Sequence, residues 1–282
     1  MRLVRFGAPG EEKPGLIDDE HVLRDLSHEI DDIAGSVLSR DGLAHLASLD
    51  PKSLPKADPS HRLGPPVGRI GHFLGIGRNY AEHAKETGAE TPTQPLLFSK
   101  APSAIGGPHD DIIMPKDATK LDYEAEIAIV IGEEALYVSE AEAMDHVAGF
   151  CLCNDVTERT FQKDRGGQFI KGKSSPGFGP LGPWLVTKDR IEDPQAFDIW
   201  LNVNGEPRQK GTSADMIFSF ATLVSHISHF MKLMPGDVIT TGTPAGVGAG
   251  MNPPRFLQVG DIVTLGASGL GEQRLVVVER KS

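Results

Sequence analysis

The chain has 282 residues, a formal net charge of −11 and a hydrophobic fraction of 39%. That length supports one large domain, or a large and a small one, with core enough to stand without staples. The charge argues against nucleic acid or an anionic membrane as a partner, because either would want a basic face, and it leaves a small anionic substrate in need of local cations or a metal.

The N-terminus, Met1-Arg2-Leu3-Val4-Arg5-Phe6-Gly7, lacks the apolar core of a signal peptide. No apolar run approaches the roughly 20 residues of a membrane span, so a cytoplasmic location is expected. Residues 2–6 read as a strand, and 15–17 with 21–23 across Asp18-Asp19-Glu20 read as a hairpin. A short helix is expected over 36–48. Residues 50–68 carry Pro51, Pro55, Pro59, Pro65 and Pro66, which break helix and strand alike and mark a linker. The reading is a small β-rich N-terminal unit, 1–68, before a large one, 69–282.

Residues 72–77 read as a strand that gives way to Arg78-Asn79-Tyr80-Ala81-Glu82-His83. Asn79 with Glu82 has the form of a capping box and Gly88 is a natural stop, so a short helix is expected over 80–87. His83 and Glu86 stand at i and i+3, neighbours on one face, where the carboxylate can orient the imidazole; the plain alternative is a surface ion pair. Gly75-x-Gly77 lacks the third glycine of a dinucleotide fingerprint and is not read as a phosphate loop.

Residues 121–132 organise the chain. After Glu126 they are a run of Ile, Val and Ala closed by Gly132, which reads as a strand buried on both faces. Period two puts Glu124 and Glu126 side by side on one face. Like charges at the mouth of an apolar strand repel, so a cation is the economical explanation and hard oxygen ligands favour Mg, Mn or Ca; a solvated strand end is the alternative.

Ser139 with Glu142 caps a helix to about residue 147, and 148–155 reads as another buried strand ending in a carboxylate. Asp155 could cap the next segment, 157–162, or complete a metal face with Glu124 and Glu126, and both remain open here. Cys151 and Cys153 are too few for a zinc cage and too close for a usual disulfide, so they read as reduced core residues. Residues 166–180 read as a loop with Lys171 and Lys173, either solvated or passing close to a ligand. Asn204-Gly205 between two short strands is a strong hairpin signal. Ser219 begins a helix in which Leu223, Ile227 and Phe230 recur at core spacing, with His226 and His229 on its other sides. A strand at 238–241 leads into Gly242-Thr243-Pro244-Ala245-Gly246-Val247-Gly248. That loop could present N–H groups and the Thr243 hydroxyl to a carboxylate, or be a tight connection. Two strands, near 262–265 and 273–279, close the chain.

Taken in order, Gly77-Arg78-Asn79-Tyr80 with His83 and Glu86, Asp122-Tyr123-Glu124-Ala125-Glu126, Asn154-Asp155-Val156-Thr157, Lys173 in its Gly-Lys-Ser setting and the glycine-rich stretch from Thr241 resemble the fumarylacetoacetate hydrolase family. The resemblance implies an α+β, mainly β fold, a mixed β-sandwich roll with short helices, and a homodimer binding Mg or Mn. By position, Glu124, Glu126 and Asp155 resemble the metal ligands, and His83 with Glu86 the water-activating dyad. Lys173 and Gln162 resemble residues that hold substrate oxygens, Thr243 a carboxylate contact, and Arg78 and Tyr80 pocket residues. Fumarylacetoacetate hydrolase itself has a longer N-terminal domain and one more metal carboxylate, so this chain departs from it. Gly172-Lys173-Ser174-Ser175-Pro176 and Asp215-Met216-Ile217-Phe218-Ser219 look most like the branch that hydrolyses 2,4-dioxo-3-deoxy acids from L-rhamnonate or L-fuconate to pyruvate and a hydroxy acid. A lyase, decarboxylase or isomerase acting on a related oxo acid ranks second, and a non-catalytic metal-binding protein third.

Overall fold

The structure is a computed structural model that describes residues 1–280. Its central strand is Ala125–Ile131, buried at every position. The reason is that its two faces enter different cores. Ile127, Ile129 and Ile131 pack with Leu201, Val263 and Leu275, while Ala128 and Val130 pack with Leu3, Leu16 and Leu38 of the N-terminal segment. A strand covered on both sides shows no polar alternation, which is why the sequence reads as a continuous apolar run.

This strand belongs to a nine-stranded sheet. The order is Leu23–Asp25, Lys13–Ile17, Arg2–Phe6, Leu185–Thr187, Val147–Asn154, Ala125–Ile131, Val238–Thr240, Phe73–Gly77, Leu96–Lys100. The sheet is mixed, with Val238–Thr240 parallel to Phe73–Gly77. A five-stranded sheet, ordered Glu206–Thr212, Asp198–Val203, Ile262–Ala267, Gly271–Val278, Ile112–Ile113, supplies the other side of the larger core. The protein is thus α+β and mainly β, with the two large sheets packed over the larger core, the N-terminal segment closing a second core on the other face, and two small two-stranded sheets and short helices around them. Arg2 pairs with Val186 and Leu3 with Leu185, so the N-terminal strands extend the large sheet and form no sheet of their own. Among the described residues no helix is long and apolar enough to cross a membrane.

Several local expectations need correction. Asn79 caps nothing: its side chain donates to the Phe218 and Thr241 carbonyls and accepts from the Phe218 N–H, tying the strand end to two distant loops. The helix after it, Ala81–Glu86, starts from Tyr80 without a side-chain cap. The stretch read as a lysine loop contains the helix Phe169–Lys173. Phe230 lies beyond the helix Phe220–Ser228 and is 67% exposed, so it is no part of the core face that Leu223 and Ile227 form. The hairpin at Asn204-Gly205 has both residues at positive φ, 52° and 79°, as a tight two-residue turn requires. Cys151 and Cys153 are buried free thiols.

Candidate metal centre and active site

Strand register brings three acids together. Antiparallel pairing sets Cys153 opposite Glu126 and Asn154 opposite Ala125, so Asp155 arrives beside Glu124. The Asp155 N–H donates to the Glu124 carbonyl at 2.8 Å, and Asn154 Oδ1 accepts from the Glu124 N–H at 3.0 Å. One carboxylate oxygen from each of Glu124, Glu126 and Asp155 lies within 4.8 Å of the others, and all three residues are buried. Asp155 does not cap the following helix, Arg159–Lys163; Glu158 does, accepting from the Phe161 N–H at 2.7 Å.

Three buried cations surround these acids. Lys100 Nζ donates to Asp155 Oδ1 at 2.5 Å and to the Phe178 carbonyl at 3.0 Å. Lys173 Nζ donates to Glu124 Oε2 at 2.6 Å, to Thr157 Oγ1 at 2.8 Å and to Asp155 Oδ2. Arg159 Nη2 lies 2.8 Å from Asp122 Oδ2 and 2.8 Å from Glu124 Oε1. The approach of Lys173 depends on Gly172, where a Cβ would stand 2.5 Å from Gln162 Cβ and 2.7 Å from the Glu158 carbonyl oxygen.

The charges do not balance, because Asp122, Glu124, Glu126 and Asp155 face only Lys100, Arg159 and Lys173. Glu126 is the acid left without an ion pair among the described residues; its Oε2 accepts the Gly242 N–H at 2.8 Å. Burial, reinforced by the like charges of Asp155 and Glu124, pushes its pKa well above the ordinary carboxylate value. Burial also works against the Glu124 carboxylate, but Lys173 and Arg159 outweigh it and hold its pKa well below the ordinary value. Burial opposes the Lys173 ammonium too, yet Asp155 and Glu124 prevail and keep it charged. Three hard oxygen donors with one uncompensated negative charge fit a divalent cation such as Mg or Mn.

A histidine is fixed next to this cluster. His83 Nδ1 lies 2.8 Å from Glu86 Oε1, and Glu86 Oε2 accepts the Gly246 N–H at 2.8 Å. With both oxygens of Glu86 engaged, the ring is held in one orientation. Assigned from that contact, the neutral tautomer carries its proton on Nδ1 and leaves Nε2 as an acceptor.

A cavity of about 310 Å³ opens over the site. His83, Glu124, Glu126, Gln162, Lys173 and Thr243 line it as buried residues, and Arg78 reaches it as an exposed one. Glu86 and Asp155 stand behind this wall as partners of His83 and Lys173. The Thr243 hydroxyl donates to the Ala125 carbonyl at 2.9 Å and accepts from Gln209 Nε2 at 2.7 Å. Tyr80 is not on the cavity wall; it is buried, pairs by backbone with Met216, and its hydroxyl has no hydrogen-bond partner. The sequence reading missed Lys100, Asp122 and Arg159. Arg159 could have been found, since it shares one face of its helix with Gln162 at i, i+3.

Residues 72–278 match the fumarylacetoacetate (FAA) hydrolase C-terminal family. The chain belongs to that family. A Burkholderia multivorans protein, provisionally named a hydrolase, is 52% identical over 274 residues, 97% of either chain. A Mycobacterium abscessus structure, provisionally named 2-hydroxyhepta-2,4-diene-1,7-dioate isomerase, is 35% identical at a TM-score of 0.83, covering 100% of both chains. A maleylpyruvate hydrolase from Sphingobium sp. SYK-6, solved with manganese(II) and pyruvate, is 26% identical at a TM-score of 0.82, again over 100% of both.

Proposed function

We propose that the chain is a metal-dependent hydrolase of a carbon-carbon bond in a 2,4-dioxo acid, releasing pyruvate and a second carboxylic acid. The observation that supports it most is the uncompensated Glu126 beside a histidine already oriented by Glu86. Glu124, Glu126 and Asp155 would hold Mg or Mn, which when bound supplies Lewis-acid polarisation of the substrate's carboxylate and 2-oxo group.

The remaining steps fall to the chain's own side chains. His83 Nε2 takes a proton from water as its oxygen adds to C4, and Glu86 stabilises the imidazolium. The C3–C4 bond then breaks with its electron pair moving to C3, as the enolate of pyruvate. Lys173 and Arg159 offset the charge that develops on the enolate oxygen. The proton held on His83 returns to C3, so one water and one dioxo acid give pyruvate and an acid. Gln162 and Thr243 are assigned to substrate oxygens, with the Thr243 hydroxyl turning from the Ala125 carbonyl. Tyr80 supports the wall from behind, and Arg78 meets the substrate at the mouth.

The motifs around Lys173 and Asp215 favour 2,4-dioxo-3-deoxy-L-rhamnonate or L-fuconate as substrate, cleaved to pyruvate and lactate by a homodimer. A second reading, isomerisation of an unsaturated dioxo acid, is favoured by the name of the Mycobacterium abscessus neighbour. The test is pyruvate release from these sugar acids and from simple acylpyruvates, with added Mg or Mn and then with chelator. Metal-dependent pyruvate with an equal amount of the second acid is expected. Carbon dioxide from oxaloacetate without any pyruvate from dioxo acids would move the chain to a decarboxylase.

A further inference from the structure

Asp122 is wholly buried and off the cavity wall. Its carboxylate nevertheless accepts from four N–H groups: Tyr123 and Gly248 on Oδ1 at 3.0 and 2.7 Å, Ala249 and Arg159 Nε on Oδ2 at 3.0 and 2.9 Å. Gly248 and Ala249 belong to one turn, the short helix Gly248–Gly250 and the residues just before it. The other side of that turn holds the dyad. The Gly246 N–H donates to Glu86 Oε2 at 2.8 Å, and a Cβ at Gly250 would stand 2.6 Å from Glu86 Cδ, an approach that only glycine allows. Tyr123 adds a second tie, donating its hydroxyl to the Gly246 carbonyl at 3.1 Å. Residues 246–250 are therefore clasped between Asp122 and Tyr123 on one side and Glu86 on the other. The clasp is tight, since a Cβ at Gly248 would lie 2.7 Å from Asp122 Oδ1 and 2.0 Å from the Arg255 carbonyl oxygen.

The helix that carries the dyad cannot hold Glu86 unaided. Ala81–Glu86 has six residues, starts from Tyr80 without a side-chain cap and ends at Glu86 itself. A helix that short takes its order from what it packs on. We infer that Asp122 is a positioning residue of the reaction: by anchoring the turn 246–250 it fixes Glu86, and through Glu86 the His83 ring. The inference rests on the proposed role of His83 as the base. Asp122 itself touches neither member of the dyad, and its effect is carried by the Gly248 and Ala249 amides to Gly246 and Gly250. The same carboxylate holds Arg159, whose Nη2 lies 2.8 Å from Glu124 Oε1, so one buried acid keeps the dyad and the acid cluster in register. An asparagine in its place has a single acceptor oxygen for the four donors, and the turn or the guanidinium must be released.

The test uses Asp122→Asn and the milder Tyr123→Phe, which deletes only the hydroxyl on the Gly246 carbonyl and leaves Asp122 and Arg159 in place. In the Mg-loaded protein, kcat per folded molecule should fall about tenfold to a hundredfold in the first and about threefold to fivefold in the second, with KM within about twofold of wild type. In a Glu86→Ala background, Tyr123→Phe should have no further effect on kcat, because its path to the ring is already cut. A second readout needs neither metal nor substrate. Nitrogen-15 histidine spectra at alkaline pH, with the His83 signal assigned by its loss in His83→Ala, should show the Nδ1–H tautomer in the wild type and a mixture with Nε2–H in both variants. Asp18→Asn, a change in the remote N-terminal hairpin, should keep the wild-type tautomer. An unaltered tautomer in both variants, or a Tyr123→Phe loss that adds in full to that of Glu86→Ala, overturns the inference. Should Asp122→Asn not fold, Tyr123→Phe decides by the same two readouts. Loss of the single tautomer in a protein that cleaves no dioxo acid keeps the positioning and removes the hydrolase reading instead.

Discussion

Two buried ion-pair systems in this molecule are built to opposite ends. In the N-terminal hairpin, Arg24 Nε donates to Asp18 Oδ2 at 2.8 Å, while Asp18 Oδ1 accepts the Glu20 and Val22 N–H groups at 2.9 and 2.8 Å. One acid meets one base, and each carboxylate oxygen has its donors. Around Ala125–Ile131, four acids face three bases, Glu126 has one backbone donor and His83 keeps a nitrogen unengaged. A closed pair fixes a turn. An unclosed network retains charge and lone pairs for a cation and a substrate, at the expense of its own stability.

Glu126→Gln gives the sharpest contrast between the two. It keeps the shape and the Gly242 contact but removes the carboxylate, so turnover should fall by about a thousandfold or more, along with the thermal stabilisation by Mg. Without metal, the same variant should be at least as stable as the wild type. The sign follows from its raised pKa: a carboxyl shifted upward on folding contributes stability below the ordinary 4.5 that is lost as pH rises toward the folded value. The advantage of Gln in metal-free melting should therefore grow with pH above 4.5. A metal-free Glu126→Gln that melts well below wild type at neutral pH would show that the network is closed after all. Next in size, His83→Ala should lower kcat by about 10²–10⁴-fold while leaving Mg-dependent stabilisation in place. Retained turnover in His83→Ala, with Glu124→Ala inactive, would remove water activation by this histidine.

The acids were legible because they violate a local rule: Glu124 and Glu126 charge the start of a strand that is otherwise apolar on both faces. The dyad was legible from helical spacing, and the hairpin from Asn204-Gly205. What stayed hidden depends on distant packing. Asn79 reads as a cap because caps are judged within four residues, yet its partners are Phe218 and Thr241. Lys100 belongs to no local pattern; only the fold, which lays its strand beside Phe73–Gly77, delivers Nζ to Asp155. The helix Phe169–Lys173 was concealed by Gly172 within it and by the glycines that flank it, and Gly172 turns out to be what lets it dock.

That docking yields an intermediate effect. In Gly172→Ala the new methyl must push the helix Phe169–Lys173 away from Gln162 and Glu158, both of which close on it below 3 Å. Lys173 moves with its helix, so kcat should drop by about tenfold, with a modest loss of stability. Wild-type kcat in this variant would mean that Lys173 can be displaced without consequence for the reaction.

The smallest effect on chemistry, and the control for the whole contrast, is Asp18→Asn. The Val22 N–H and, after the opposing effect of burial, the Arg24 guanidinium hold the Asp18 pKa below its ordinary 3.8. A carboxyl depressed on folding contributes stability above the unfolded value, and that contribution is lost as pH falls through the folded one. At neutral pH the variant should melt about 3–5 °C below wild type, with unchanged kcat per folded molecule. The gap should narrow as pH is lowered below 3.8, opposite in sign to the pH trend of Glu126→Gln. A shared sign would mean that both ion-pair systems are structural, and the charge imbalance at Glu126 would then no longer mark a cation site.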